Sequence, residues 1–215
     1  EFIERLSPED ISQSLWRKLK KCFYYRFLEN KSKENVVKRI QFDKNPSNRF
    51  KGIITYLGKG NSKNVIDNKI IDITSSTCAG SGNEPFKSID YEEDDYFHSY
   101  SNDKDAWLCF DFKERKVRPT YYSLKSYARN GKNQYNVQNW VIEGSNDKDK
   151  WTILDTRNSE RSIDDTNASN TFEISNSNEF YRYLRIHQTG ENAKGNSDFR
   201  FIISSLEYFG YIIES

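Results

Sequence analysis

From Phe50 onward the sequence is built of short runs of β-branched and aromatic residues that alternate with polar turns. The runs are Ile53–Leu57, Val65–Ser76, Trp107–Phe112, Thr120–Tyr127, Asn139–Ser145, Trp151–Asp155, Asn170–Ser175, Tyr181–Gln188 and Phe201–Ile212. Many short strands without long helical patterns between them are typical of an antiparallel sandwich or barrel. The pattern therefore predicts a mainly β domain over residues 50–215.

The preceding residues 1–49 have a different residue pattern, which predicts a helical segment followed by a connector. Ser7 is a good helix N-cap, Pro8 suits the first helical position, and apolar residues recur at three- and four-residue steps from Ile11 to Phe27. Asn35–Phe42 predicts a second short helix. Since the chain starts at Glu1 and contains no Met, we expect a piece of a longer protein.

The apolar content is low but unusually aromatic: 35% hydrophobic residues, with 14 Tyr, 14 Phe and 4 Trp. Each buried ring removes roughly 150–250 Å² from water, so a few rings can fill a sandwich. We expect Trp140, Trp151 and Phe97 in the core, Pro119 at a strand start, and Gly210 at a bend in the last strand. The net charge of +1 gives no reason to expect a nucleic-acid or anionic membrane partner.

Sequence signatures of catalysis are missing. The two His residues are far apart and form no HExxH zinc motif, and the chain has neither a P-loop nor a GxGxxG turn. Glu92 and Glu207 are the remaining pair that a glycosidase could use, but we expect a protein that is not an enzyme. Three scattered cysteines without a CxxC pair favour a reducing intracellular compartment.

Five stretches, taken in order, resemble one known family. They are Ile73–Thr77 (ITSST), Pro85–Ser99 (PFKSIDYEEDDYFHS), Trp107–Tyr127, Trp140–Trp151 (WVIEGSNDKDKW), and the closing pair YRYLRIHQTG and SSLEYFG. They are similar to the discoidin, or coagulation factor 5/8 type C, domains of the galactose-binding-like superfamily. The resemblance covers Phe50 to Ile212 and implies a discoidin-type antiparallel jelly-roll β-sandwich, here with an N-terminal α-helical segment.

The resemblance also implies a structural calcium, since many sugar-binding relatives hold one beside the last strand. Transferred by position, the metal ligands would be Asp90, Asp95 and Glu207, with backbone carbonyls around Glu92; oxygen ligands of this kind suit Ca²⁺. Two departures stand against it, because Tyr91 replaces the family glycine and Asp95 replaces the family threonine. The alternative is a solvated acidic loop.

Loops at one end of the predicted barrel supply the candidate ligand-binding residues. These are Tyr91, Tyr127, Arg129, Asn130, Tyr135 and Asn192. Arg129 together with Tyr127 or Tyr135 would stack on and hydrogen-bond a hydroxyl-rich ligand, or equally anchor a protein, because Tyr and Arg are common hot-spot residues. We expect His98 and His187 to be structural.

The resemblance is strongest to intracellular protist proteins that carry a discoidin domain behind BTB and BACK regions. It implies a cytoplasmic protein-recognition module, acting as an adaptor or as a scaffold component of a large assembly such as the cytoskeleton or a cilium. The alternative is a carbohydrate-binding, lectin-like module with a structural calcium. Membrane binding is not expected, since Cys78–Asn83 is small and polar where membrane-binding relatives project apolar side chains.

Overall fold

The computed structural model describes Lys18 and residues 36–91, 95–127, 135–165 and 167–214. Val37–Glu214 form a compact unit. The predicted first helix lies outside the described residues apart from Lys18, and the predicted domain boundary after residue 49 stays a prediction.

The described elements are short, and most are strands. In chain order they are β1 (Val36–Ile40), a 3-10 helix (Pro46–Asn48), α1 (Ile53–Leu57), α2 (Asn64–Asp67), β2 (Asp72–Ser75), a second 3-10 helix (Pro85–Ile89), β3 (Phe97–His98), β4 (Trp107–Asp111), β5 (Lys116–Lys125), β6 (Trp140–Ser145), β7 (Thr152–Arg157), β8 (Ser169–Glu173), β9 (Tyr183–Gln188), β10 (Ile202–Ile203) and β11 (Ser205–Glu214).

Two larger sheets and one small sheet make up the unit. The strand orders are β2-β4-β9-β6-β7, β1-β11-β5-β8 and β3-β10. Neighbours within the five-stranded sheet run antiparallel, as do β11 with β5 and β5 with β8. Phe110 of β4 meets Tyr208 of β11 edge-to-face at 5.6 Å, so side chains of both larger sheets share one interior. The predicted antiparallel β-sandwich is confirmed.

The core contains one hydrogen-bonded aromatic pair. The indole Nε1–H of Trp140 donates to the hydroxyl of Tyr122 at 2.9 Å, and that hydroxyl donates to Asp155 Oδ2 at 2.7 Å. Trp140 and Phe97 are fully buried, as expected. Trp151 is not, and its predicted core position is wrong: its ring lies beneath the guanidinium of Arg185, 4.0 Å from the guanidinium carbon.

Two predicted elements belong to another class, and a third is a strand only in part. Ile53–Leu57 forms helix α1 rather than a strand. The predicted strand Val65–Ser76 begins within helix α2 and is a strand over Asp72–Ser75. Val36–Ile40, expected in a helix, is strand β1 beside β11. Short apolar runs carry too little periodicity to separate helix from strand, so their tertiary partners decided between the two.

Pro119 lies inside β5 rather than at its start. It stands opposite Gly210 of β11, where the strand register shifts between Phe209 and Gly210. Gly210 has φ +143°, and a Cβ there would lie 2.2 Å from the carbonyl oxygen of Arg118. The expected bend at Gly210 is therefore a β-bulge that only glycine fits.

Candidate functional site

An aromatic and basic cluster forms where three separate stretches of chain meet. We call it the loop-end cluster, and its members are Tyr96, His98, Tyr127, Tyr135, Asn136 and Arg200. The rings of Tyr96 and Tyr127 stack with centroids 3.7 Å apart, and the Tyr96 ring lies 6.4 Å from that of His98. The guanidinium carbon of Arg200 lies 4.3 Å from the ring centroid of Tyr135, a cation–π distance.

Strand pairing fixes the direction of two polar members of the cluster. Ile202 of β10 pairs with His98 on one side and forms an isolated bridge with Asn136 on the other. Paired residues project from the same face of a sheet, while their chain neighbours project from the opposite face. The neighbours Phe97, Val137 and Ile203 all belong to the hydrophobic core. His98 and Asn136 therefore face away from that core, and Tyr96, two residues before His98, lies on the same side.

These two side chains hold hydrogen-bonding atoms that nothing in the described part of the chain satisfies. Asn136 is 0% exposed, and neither its Oδ1 nor its Nδ2 has a partner. The Nε2 of His98 is likewise buried and unpaired. Burial and then the nearby charge of Arg200 lower the pKa of His98, which keeps its imidazole neutral at pH 7. A neutral imidazole and an amide each donate and accept one or more hydrogen bonds.

The structure brings together some of the predicted ligand residues and separates others. Tyr127 and Tyr135 belong to the loop-end cluster, and the predicted Arg129 and Asn130 lie between them outside the described residues. Asn192 is buried and donates to Asp198 Oδ1 at 2.9 Å and to the carbonyl of Arg200 at 3.1 Å. Asn192 therefore holds the turn that carries Arg200.

Tyr91 is engaged elsewhere. Its hydroxyl donates to the carbonyl of Leu206 at 2.9 Å, and its ring packs 5.1 Å from that of Phe50. This places Tyr91 against the last strand, and no contact joins it to the loop-end cluster among the described residues.

Four members of the cluster were missed by the sequence: Tyr96, His98, Asn136 and Arg200. Tyr96 and His98 flank the buried Phe97, so strand alternation alone would have turned both away from the core. Asn136 and Arg200 had no such signal, because only tertiary pairing with β10 and the ring of Tyr135 assigns them to the site.

The three carboxylates expected to bind calcium do not come together as a metal site. Asp90 forms a salt bridge with Lys63 at 2.7 Å, and Asp95 pairs with Lys87. Within the residues that the structure describes, no group of three or more His, Cys, Asp or Glu is placed to hold a metal ion. The described ligand set thus does not fit calcium; Glu92 lies outside it.

The carboxylate of Glu207 accepts hydrogen bonds within the protein instead. It is 0% exposed and accepts hydrogen bonds from the backbone N–H groups of Ile54, Thr55 and Tyr208 at 2.8–3.0 Å, and from the Thr55 hydroxyl at 2.9 Å. Two of these donors are first-turn N–H groups of α1, which have no partner inside a helix. Burial raises the pKa of Glu207 to about 7, although the hydrogen bonds oppose that shift.

No helix among the described residues is long and apolar enough to cross a membrane.

Comparison with solved structures shows the same fold in sugar-binding proteins. A CBM32 module from Clostridium perfringens, solved in complex with GalNAc-β-1,3-galactose, superposes with a TM-score of 0.51 at 10% identity, covering 66% of this chain and 96% of that one. A fucolectin from striped bass (Morone saxatilis) serum gives 0.50 at 13% identity, covering 67% and 47%. At these identities the likeness concerns the fold alone.

Sequence comparison gives a curated relative and a family. The E3 ubiquitin-protein ligase Ufd4 of Drosophila melanogaster is 31% identical over 119 residues, which is 54% of this chain and 4% of that protein. The model of the F5/8 type C domain matches residues 72–200, more than half of the chain. The strand order, the aromatic core and this match agree, and the chain belongs to the F5/8 type C domain family.

Proposed function

We propose that this domain is a non-catalytic binding module that takes a hydroxyl-rich carbohydrate at the loop-end cluster. The observation that carries the proposal is the buried, unpaired amide of Asn136. A buried polar group without a partner costs about 1–3 kcal/mol, which a ligand that hydrogen-bonds to it would recover. Sugar hydroxyls both donate and accept, so they match the amide of Asn136 and the neutral imidazole of His98.

The rest of the cluster suits the same ligand class. Tyr96 and Tyr135 add aromatic rings to the cluster, and Arg200 adds hydrogen-bond donors beside Tyr135. The complex of the Clostridium perfringens module with GalNAc-β-1,3-galactose supports the choice, because the two proteins share a fold.

The test is a glycan array followed by calorimetric titration with the best glycan. Arg200→Ala and Tyr135→Ala are expected to weaken binding about tenfold or more, since a hydrogen bond to a charged group contributes about 1.5–3 kcal/mol. Arg182→Ala is the matched control: Arg182 pairs with Asp111 on β4 and touches no member of the cluster among the described contacts. Binding of no glycan by the folded wild type, or equal loss in the control, would overturn the proposal.

A second candidate is recognition of a protein partner by an intracellular adaptor. It is favoured by the 31% identity with a ubiquitin ligase over 119 residues. Tyr and Arg at the loop-end cluster are also frequent anchors of protein interfaces. A place in a large assembly, cytoskeletal or ciliary, and a link to BTB proteins remain predictions.

Proximity labelling in cells distinguishes this candidate from the first. A protein partner should be labelled by the wild type and by Arg182→Ala, and lost with Arg200→Ala, whether or not glycans are removed enzymatically. Labelling that disappears after glycan removal favours the carbohydrate instead. Fractionation of the same cells tests the predicted cytoplasmic location.

A further inference from the structure

A concave site lies apart from the loop-end cluster. It is a cavity of about 400 Å³, and it shares no lining residue with that cluster. It is lined by Pro46, Ser47, Arg49, Phe50, Lys51, Thr55, Gly60, Asn61, Ser62, Lys63, Asp90 and Tyr91. A volume in this range is typical of sites for small organic molecules.

The lining of this cavity is strongly unbalanced in charge. Arg49, Lys51 and Lys63 contribute three positive charges, and Asp90 contributes one negative charge. Asp90 is 5% exposed and bonded to Lys63 at 2.7 Å. Among the described lining residues this leaves a net charge of two positives on one small concave surface, whereas the whole chain carries +1. Such a surface attracts an anion.

Arg49 is held in place by only part of its guanidinium. Its Nη1 donates to the carbonyl oxygen and the hydroxyl of Ser169, at 2.6 and 2.7 Å. Its Nε is buried, and within the described residues it has no acceptor. An arginine has five N–H donors in a planar fork that matches phosphate oxygens. The contacts with Ser169 therefore hold the guanidinium of Arg49 in one orientation and leave its other N–H groups to donate to a ligand.

We propose that this cavity binds the phosphate monoester of a small organic molecule. A phosphate monoester carries about −1.5 to −2 at pH 7, which balances the net charge of the lining, whereas one carboxylate would not. Arg49 and Lys51 contact the phosphate oxygens. The organic part lies against the paired rings of Phe50 and Tyr91, which form the apolar part of the wall.

The experiment titrates the folded domain with glucose 6-phosphate, with glucose and sodium sulfate as reference ligands, by calorimetry and by backbone amide NMR. Glucose 6-phosphate is expected to bind at least tenfold more tightly than either reference and to shift the amides of Ser47, Asn61 and Ser62. Lys51→Gln is expected to weaken binding several-fold and Arg49→Gln about tenfold or more, since charged hydrogen bonds are the strong ones.

Lys150→Gln is the matched control, because Lys150 is an exposed lysine in the β6–β7 turn, outside the cavity lining. Arg49→Gln also removes the contact with Ser169, so Lys51→Gln, which alters an exposed side chain, keeps the test valid if Arg49→Gln misfolds. The proposal is overturned if the wild type does not bind glucose 6-phosphate at millimolar concentration. It is also overturned if Lys150→Gln weakens binding as much as Lys51→Gln, or if the shifted amides lie elsewhere. Amide shifts at the loop-end cluster would instead support carbohydrate binding there, whereas the other outcomes leave that proposed function untouched.

Discussion

The carboxylate of Glu207 accepts a hydrogen bond from the backbone N–H of Ile54 at 2.9 Å, across 153 positions of sequence. Strand β11 thereby supplies the acceptor that the first turn of α1 lacks. Gly52 makes this approach possible, because a Cβ at that position would lie 2.7 Å from Cγ of Glu207. This hydrogen bond joins helix α1 to the last strand of the compact unit.

Replacing Glu207 should therefore lower the free energy of unfolding. Glu207→Ala leaves the buried N–H groups of Ile54 and Thr55 without an acceptor, and we expect a loss of about 3 kcal/mol or more in the free energy of unfolding, measured with urea. Glu179→Ala, at an exposed glutamate, is the control and should stay within about 0.5 kcal/mol of the wild type. Equal effects of the two substitutions would show that the contact contributes little.

The same residue should make stability depend on pH. The pKa of Glu207 is about 7 in the folded protein and 4.5 in its ordinary state, so the folded form binds the proton more tightly. The stabilisation that comes from this proton binding is complete below pH 4.5 and is lost as the pH rises to about 7. Relative to Glu207→Gln, which does not titrate, the wild type should lose about 3 kcal/mol over this range. A difference that does not change with pH would mean that the hydrogen bonds keep the pKa near 4.5.

Calcium should not stabilise the folded domain. Asp90, Asp95 and Glu207 are already bonded to Lys63, Lys87 and α1 respectively, so binding the ion would require breaking these contacts. A ligand that binds the folded state raises its unfolding temperature in proportion to the logarithm of its concentration. We expect the same unfolding temperature with millimolar calcium and with a chelator. A rise with calcium would restore the metal site predicted from the family resemblance.

Loss of the hydroxyl should lower the stability of the fold at Tyr122 but not at Tyr208, although both tyrosines are buried. Tyr122→Phe removes the acceptor of Trp140 Nε1–H and a donor to Asp155, and we expect a loss of about 1–3 kcal/mol. Tyr208 is equally buried, but its hydroxyl has no partner in the part of the chain that the structure describes. Tyr208→Phe should thus be neutral or stabilising. Thermal unfolding followed by tryptophan fluorescence compares them, and an equal loss in both would contradict this account.

The sequence by itself determined the sheet framework and the aromatic core. The runs around Leu108, Trp140 and Ile186 are short, rich in aromatic and aliphatic residues, and bounded by polar turns, and this local pattern is sufficient to predict strands. The resemblance to the family rested on the same stretches, which lie within or close to the matched residues 72–200.

Only the tertiary structure decided the class of Ile53–Leu57 and the composition of the loop-end cluster. A run of five residues such as IITYL can form either a helix or a strand, and the choice was made by an acceptor on Glu207, far away in the sequence. Tyr96, Tyr127 and Arg200 likewise carry no local pattern that joins them. Their contacts depend on which strands pair, and pairing is settled by the packing of the whole core rather than by any one segment.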